Sequence, residues 1–360
     1  MRSIGERCAL QQPQADGVKQ INSLVYYGDL VPARHFRMSK APNIILIKTS
    51  SLGDVLHNLP VVTDIRKHLP EARIDWVVEE SLAALPKLHP DVQSVIPVAM
   101  RRWRKSWWTS RDEMRAICRQ LRNQHYDVAL DTQGLLKSAL ITHCTHTARY
   151  GHAWGSAREP LASWFYDHTY TISKELHAVE RNRQLAAAAL SYTAEGAPDY
   201  GIRTPDVTLP WLPNKPYVVL LHATSRDDKL WDEQNWIALG EHLHRSGLRA
   251  VLPWGSEQEK VRSERLSAAI PDAICAPRLN LNEAAALLGK ARAVVGVDTG
   301  LSHLAAALDV PTIGIYTATD PGLTGLSAGV RAVNLGGKGK SPKVDAVIVK
   351  LTELGAYGNL

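Results

Sequence analysis

Short, wholly apolar runs alternate with helical patterns over most of this chain, and few folds accept that alternation. The first run is Asn43-Ile-Ile-Leu-Ile-Lys48, followed by helical spacing from Val55 to about His68. A strand pattern at Ile74–Val78 and a helix over Ser81–Leu88 come next, then a strand at Ser94–Val98. A long basic helix over Ser106–Asn123, a strand at Asp127–Asp131 and a helix at Leu135–His143 complete the series. Strands that are apolar at nearly every position are buried on both faces, as in a parallel sheet covered by helices. Residues 41–197 are therefore expected to form one doubly wound α/β domain.

Five prolines (198, 205, 210, 213 and 216) then interrupt the pattern, so residues 198–216 read as a linker. The alternation restarts with strands at Tyr217–Leu221, Arg249–Pro253, Ala293–Val297 and Thr312–Tyr316. Helices are expected at Glu233–Ser246, Glu257–Ala269, Leu281–Ala291 and Ser302–Leu308. The fold class is thus α/β, with two Rossmann-like doubly wound domains facing each other across a cleft, the second over residues 217–360. Ligands of such sheets sit at the carboxyl ends of the strands. Residues 1–40 show no sustained periodicity and no secretory signal. They are expected to be disordered, and an over-extended gene start ahead of Met38 accounts for them.

Hydrophobic residues at 45% and charged residues at 22% of 360 exclude a disordered chain, and no apolar run is long enough to span a bilayer. The four cysteines (8, 118, 144 and 275) form no CxxC pair and are expected to be reduced thiols. Residues 41–205 hold 20 basic against 17 acidic residues, while residues 206–360 are balanced at 16 each. An anionic partner is therefore met by the first half, and nucleic acid is not expected.

Four segments could carry chemistry. In Lys48-Thr-Ser-Ser-Leu-Gly-Asp-Val-Leu-His57 a small-residue loop with Gly53 leads into a helix opening at Asp54. Asp54 serves there either as an ordinary N-cap or as an ionised general base. In Leu221–Trp231, Thr224, Ser225 and Lys229 offer a grip for a diphosphate, unless Asp227 and Asp228 merely neutralise the loop's own cations. Asp298, Thr299 and Gly300 would present free amides at a helix start, a geometry that suits phosphate and also ordinary capping. Glu257, after a strand end, could accept hydrogen bonds from ribose hydroxyls. Met100–Thr109 mixes Arg101, Arg102, Arg104 and Lys105 with Trp103, Trp107 and Trp108. It is expected to face an anionic membrane surface or anionic sugars and phosphates, the alternative being a solvated helix start with its tryptophans on the core. Gly339-Lys-Ser341 lacks the earlier glycine of a P-loop, and His143-Cys-Thr-His146 is too compact for zinc.

Six segments occur in a recognisable order: KTSSLGDVLHNLP, DTQGLLKSA, G-x-x-W-x-x-AREPLAS, HAVERNRQL, LHATSRDDKLW and VGVDTGLSHLAAAL. Over roughly residues 42–350 the chain resembles the inverting heptosyltransferases of glycosyltransferase family 9, which have the GT-B architecture. AREPLAS and HAVER point to the members that add the first heptose of the lipopolysaccharide core.

The resemblance implies a donor, ADP-L-glycero-β-D-manno-heptose, and an acceptor, the inner 3-deoxy-octulosonate (Kdo) of Kdo2-lipid A. It makes Asp54 the general base, with Ser50, Ser51 and Gly53 beside it on the acceptor side. Thr224, Ser225 and Lys229 become the diphosphate contacts, Lys229 also offsetting charge on the leaving group. Glu257 becomes the ribose contact, and Asp298, Thr299, Gly300, Leu301 and His303 surround the donor sugar and phosphates. Arg158 and Arg181 become acceptor-side cations, with Arg101 or a neighbour as a third. Ser225 replaces a common threonine and keeps its hydroxyl. No metal or cofactor is implied, since no DxD motif precedes the donor site. A cytoplasmic enzyme, peripheral on the inner membrane of a Gram-negative bacterium, is the expected setting. The alternatives are a family 9 enzyme acting on a later core heptose, a non-catalytic binding module and a GT-B sugar-nucleotide epimerase using UDP.

Overall fold

The computed structural model describes residues 41–106 and 108–357. The disorder expected of residues 1–40 lies outside the described residues. The first half contains β1 (Asn43–Ile47), α1 (Leu52–Leu56), α2 (Leu59–His68), β2 (Arg73–Glu79) and β3 (Val92–Val98). It continues with α3 (Met100–Lys105), α4 (Arg111–Asn123), β4 (Val128–Asp131), α5 (Leu136–His143), β5 (Ala148–His152), β6 (His168–Tyr170) and α6 (Ala178–Leu190). The second half contains β7 (Tyr217–Leu221), α7 (Glu233–Arg245), β8 (Arg249–Leu252), α8 (Glu257–Ala269), β9 (Ile274–Cys275) and α9 (Leu281–Gly289). After it come β10 (Ala293–Val297), α10 (Gly300–Ala307), β11 (Thr312–Tyr316), α11 (Pro321–Thr324), β12 (Ala332–Gly336) and α12 (Val344–Glu353). No helix or strand falls within residues 198–216.

Each half builds one six-stranded, wholly parallel sheet, in the orders β3-β2-β1-β4-β5-β6 and β12-β11-β10-β7-β8-β9. Numbered from its own first strand, the second order repeats the first. This is the doubly wound topology, in which the order reverses beside the first strand and opens a crevice there. The reversal points are β1/β4 and β7/β10.

Strand alternation sends side chains to two cores. Ile45, Ile47, Val77 and Ala129 pack under Trp103 and Leu121, while Ile44, Leu46, Trp76 and Leu130 pack toward the α2 and α6 side. That second cluster runs without a break into Val219, Leu221, Val294 and Leu304 of the other half. The two sheets therefore share one apolar seam.

Three helical expectations are corrected. Val55–His68 is two helices, because Pro60 lacks an amide and suits only the first turn of α2. Ser81–Leu88 is not a helix but two 3-10 turns, Glu80–Leu82 and Pro86–Leu88, since Pro86 blocks a continuous ladder. The helix expected over Ser106–Asn123 begins only at Arg111, Ser106 being the C-cap of α3. Ser110 Oγ bonds Ser106 O at 2.9 Å, and α4 starts afresh with Asp112 and Glu113 in its first turn.

The cysteine expectation is also corrected. Cys118 on α4 and Cys144 just after α5 are disulfide-bonded, their Cα atoms 5.0 Å apart. A separation of 26 residues gave no sign of this, because tertiary packing alone brings the two helices together. Cys275 is free.

Candidate active site

The β1 and β4 loops leave their sheet where the strand order reverses. Ser51 is the N-cap of α1, so the helix opens at Leu52 and Asp54 occupies its third position rather than the cap. The Ser51 amide donates to Asp54 Oδ2 at 2.9 Å and the Ser51 hydroxyl at 3.2 Å. Arg158 closes on the same carboxylate with both arms, Nη1 to Oδ2 at 3.1 Å and Nη2 to Oδ1 at 2.8 Å. Burial works to raise the Asp54 pKa, but the charges of Lys48 and Arg158 and the Ser51 amide outweigh it and hold it at about 2. The carboxylate is ionised at any physiological pH.

A second tier, absent from the sequence expectations, fixes this loop. Gln133 Oε1 accepts from the Thr49 amide at 2.6 Å and the Thr49 hydroxyl at 2.8 Å, and Gln133 Nε2 donates to Ser50 O. Lys137 Nζ reaches Ser50 Oγ at 2.9 Å. Lys48, at the end of β1, is buried and donates to Thr132 O at 2.8 Å and Asn182 Oδ1 at 3.2 Å. Loss of solvent brings its ammonium down to about 8 despite the Asp54 charge. The signal for these residues was their place at strand ends inside KTSSLGD and DTQGLLK.

Lys48, Asp54, His152, Arg158 and Arg181 line one small cavity. Arg181 Nη2 donates to Ser156 O at 2.7 Å, but its Nε, like His152 Nδ1, is buried without a partner. Three cations thus meet one carboxylate there. An unsatisfied buried guanidinium donor, Arg181 Nε, beside excess positive charge forms a receptor for an anion. The structure brings together Asp54, Arg158 and Arg181 as expected, but not Arg101, whose exposed side chain stands on α3 and whose amide donates to Glu79 at 3.2 Å.

At the β7/β10 reversal, Asp298 is the hub. Its Oδ2 accepts from Lys229 Nζ at 2.7 Å and Thr319 Oγ1 at 2.8 Å, and its carbonyl accepts from Thr224 Oγ1 at 3.1 Å. Thr319 follows β11 and had no motif to betray it. Of the three amides expected at the helix start, that of Asp298 belongs to the sheet, donating to Ile315 O at 3.1 Å. Thr299 is the N-cap of α10. Ser225 is exposed, and the Glu257 side chain opens α8 at 80% exposure.

The starts of α1 and α10 touch. A Cβ on Gly300 would lie 2.5 Å from Leu52 Cδ2, so only glycine permits this approach, whereas Gly53 has ordinary room at 3.7 Å from His303. His303 is buried and bonded to His57, Nδ1 to Nε2 at 3.2 Å, and the His57 ring also meets His177 edge-on at 5.5 Å. His303, on α10 five residues after Asp298 and packed against Gly53 beside Asp54, stands between the two centres.

Burial brings the His303 imidazole from 6.5 to about 4. In that window the unfolded chain holds the proton and the folded one does not, so stability falls as pH falls. His303→Gln is expected to flatten this slope by about 1.4 kcal/mol per pH unit between those values, read by urea melts across pH. An unchanged slope means that His303 is protonated in the fold.

The basic stretch 100–109 divides. Trp103 is core, 5% exposed, with Nε1 donating to Glu113 at 2.9 Å. Arg102 grips Glu113 with both arms at 2.8 Å. Trp108 is exposed under the Arg111 guanidinium, and Trp107 lies outside the described residues. Trp103 and Trp108 therefore do not share one exposed aromatic face. Among the described residues no helix is long and apolar enough to cross a membrane, and no group of three or more His, Cys, Asp or Glu is placed to hold a metal.

The model of glycosyltransferase family 9 (heptosyltransferase) matches residues 114–350. Lipopolysaccharide heptosyltransferase 1 of Salmonella typhimurium is 46% identical over 286 residues, 78% of this chain and 90% of its own length. Two solved structures of the Escherichia coli heptosyltransferase WaaC, with ADP and with ADP-2-deoxy-2-fluoro heptose, are each 41% identical. They superpose with TM-scores of 0.80 and 0.77, covering 87% and 86% of this chain and 99% of theirs.

Proposed function

The chain belongs to glycosyltransferase family 9, the heptosyltransferases, and from that premise we propose that it adds the first heptose of the lipopolysaccharide core. In this reading it moves L-glycero-D-manno-heptose from ADP-heptose to the inner Kdo of Kdo2-lipid A, with inversion. The observation that carries the reading is the pairing of an ionised Asp54 with a cation-rich cavity, one histidine away from the Lys229–Asp298 pair. The relatives named heptosyltransferase 1 and the ADP-heptose analogue bound to WaaC support it.

The roles divide by sheet, with residues 41–197 serving the acceptor and residues 217–360 the donor across the linker. Asp54 takes the proton of the acceptor hydroxyl as that oxygen attacks the anomeric carbon and ADP leaves from the opposite face. Arg158 bonds both Asp54 oxygens and Ser51 bonds only Oδ2, so Oδ1 keeps a lone pair with which to take the acceptor's proton. Arg181, with an idle buried Nε, and Arg158 bind acid groups of the acceptor, with Ser50, Ser51 and Gly53 shaping the hydroxyl's approach. Exposed Arg101 reaches charges farther along the lipid.

On the donor side Lys229 moves from Asp298 to the diphosphate and offsets the charge that grows as the glycosidic bond breaks. Thr224, Ser225, Thr299 and Gly300 complete the phosphate site, with Glu257 on the ribose and Asp298, Leu301 and His303 around the heptose. A lipid acceptor places the enzyme at the cytoplasmic face of the inner membrane as a peripheral protein. Mass spectrometry of pure protein with ADP-heptose and Kdo2-lipid A tests the whole reading. One heptose is expected on Kdo2-lipid A, and none on an acceptor that already carries the first heptose. The reverse preference would move the enzyme to a later core step.

A further inference from the structure

Two short helical segments beside the acceptor cavity expose large apolar side chains in register. On α5, Leu136 and Leu140 lie four residues apart on one stripe, 36% and 50% exposed. In the 3-10 turn Pro160–Phe165, three residues per turn place Leu161 and Trp164 on one edge, 47% and 74% exposed. A buried seam of Ala139, Ala162 and Tyr166 packs the two segments side by side. Trp154, half exposed, adds its ring 5.6 Å from that of Trp164. Five large apolar side chains exposed on two adjoining segments and their flanking loop, two of them in ring contact, mark an interaction surface rather than scattered surface residues.

What borders the patch identifies its partner. Arg158 stands in the loop between Trp154 and Leu161, and Lys137 stands between the two leucines of α5. Arg101 and Arg104 act on Lys137 together with Glu79 and Glu159, but Glu79 is buried and accepts the Arg101 amide, which leaves the two arginines as the exposed cations there. The exposed Glu159 carboxylate accepts from the Leu136 amide at 2.6 Å and is one anion beside Arg158, Lys137, Arg101 and Arg104. Tryptophan with leucine, rimmed by cations, is the composition of a surface that lies on an anionic bilayer. A second copy fits poorly, because a two-fold contact would set this cationic rim against itself.

We propose that this face docks on an anionic lipid leaflet, Trp154, Leu161 and Trp164 entering the headgroup layer. The proposal rests on the reading of a lipid-anchored acceptor and says which face turns to the lipid. An acceptor held in the leaflet then reaches Arg158 and Asp54 along the edge of the patch.

The test compares wild type with Trp164→Glu and with Trp154→Ser/Leu161→Ser by co-sedimentation on vesicles of phosphatidylethanolamine and phosphatidylglycerol. Both variants are expected to bind about tenfold more weakly. Their melting temperatures and their kcat/KM on a deacylated, water-soluble acceptor should match wild type. Wild type that ignores the vesicles, or variants that sediment like wild type, overturns the proposal. So does a wild-type dimer in solution that Trp164→Glu converts to monomer. Failure of wild type on the deacylated acceptor counts against the functional reading instead, and leaves the vesicle result to stand alone.

Discussion

Asp54→Asn is expected to lower kcat by about 10²–10⁴-fold, the range that positioned general bases supply, with ADP-heptose affinity nearly unchanged. Asparagine is the cleaner variant because its side-chain oxygen can still accept from the Ser51 amide, as Asp54 does at the start of α1. Asp54→Ala removes that bond as well and adds a stability loss of about 1 kcal/mol. The pH dependence follows from the sign of the shift. A carboxyl at about 2 is ionised throughout the physiological range and gains a proton only as pH falls through that value. The kcat/KM profile of the free enzyme should therefore show no acid limb from Asp54 between pH 5 and 8. A limb there that disappears in Asp54→Asn would put its pKa far above 2 and dissolve the Arg158 clamp. Retention of more than a tenth of wild-type kcat, about 1.4 kcal/mol in barrier, would end the general-base assignment.

The sheets were legible in the sequence where strands are buried on both faces. Tyr217–Leu221, Ala293–Val297 and Thr312–Tyr316 run as expected to the residue. The strands not anticipated are the last two at one end of the first sheet, β5 and β6, and the two edge strands of the second, β9 and β12. β5 carries Arg149 and His152, β6 has three residues, β9 has two, and β12 is only partly buried, so none shows an apolar run. Helix breaks failed where local chemistry beats periodicity, at Pro60, at Pro86 and at the Ser106–Ser110 bond. In the site, charged residues in loops with a family pattern could be named, but the partners that hold them could not. Gln133 and Lys137 contact the Ser50 loop from 83 to 87 residues away, and Thr319 meets Asp298 across neighbouring strands. Pairing of that kind is made by the fold and leaves no local spacing to read.

Lys229→Ala is expected to reduce kcat/KM for ADP-heptose by about 10²–10³-fold, the loss typical when one preorganised group at a developing charge is removed. Structure complicates this substitution in a way that can be used. The Lys229 and Asp298 side chains are only 18% and 12% exposed, so removing the lysine strands a carboxylate whose remaining side-chain partner is Thr319. That orphaning should cost about 1–3 kcal/mol of stability, read as a drop in melting temperature. Lys229→Ala/Asp298→Asn removes the stranded charge and should regain most of that stability. It should regain none of the turnover, because no cation is left to meet the diphosphate. Lys229→Arg should recover turnover in part, a planar fork being a poor substitute for a compact ammonium. If the double variant recovers turnover together with stability, the pair is a structural tie and the leaving diphosphate must be stabilised elsewhere, with Arg226 of the same loop the first residue to test.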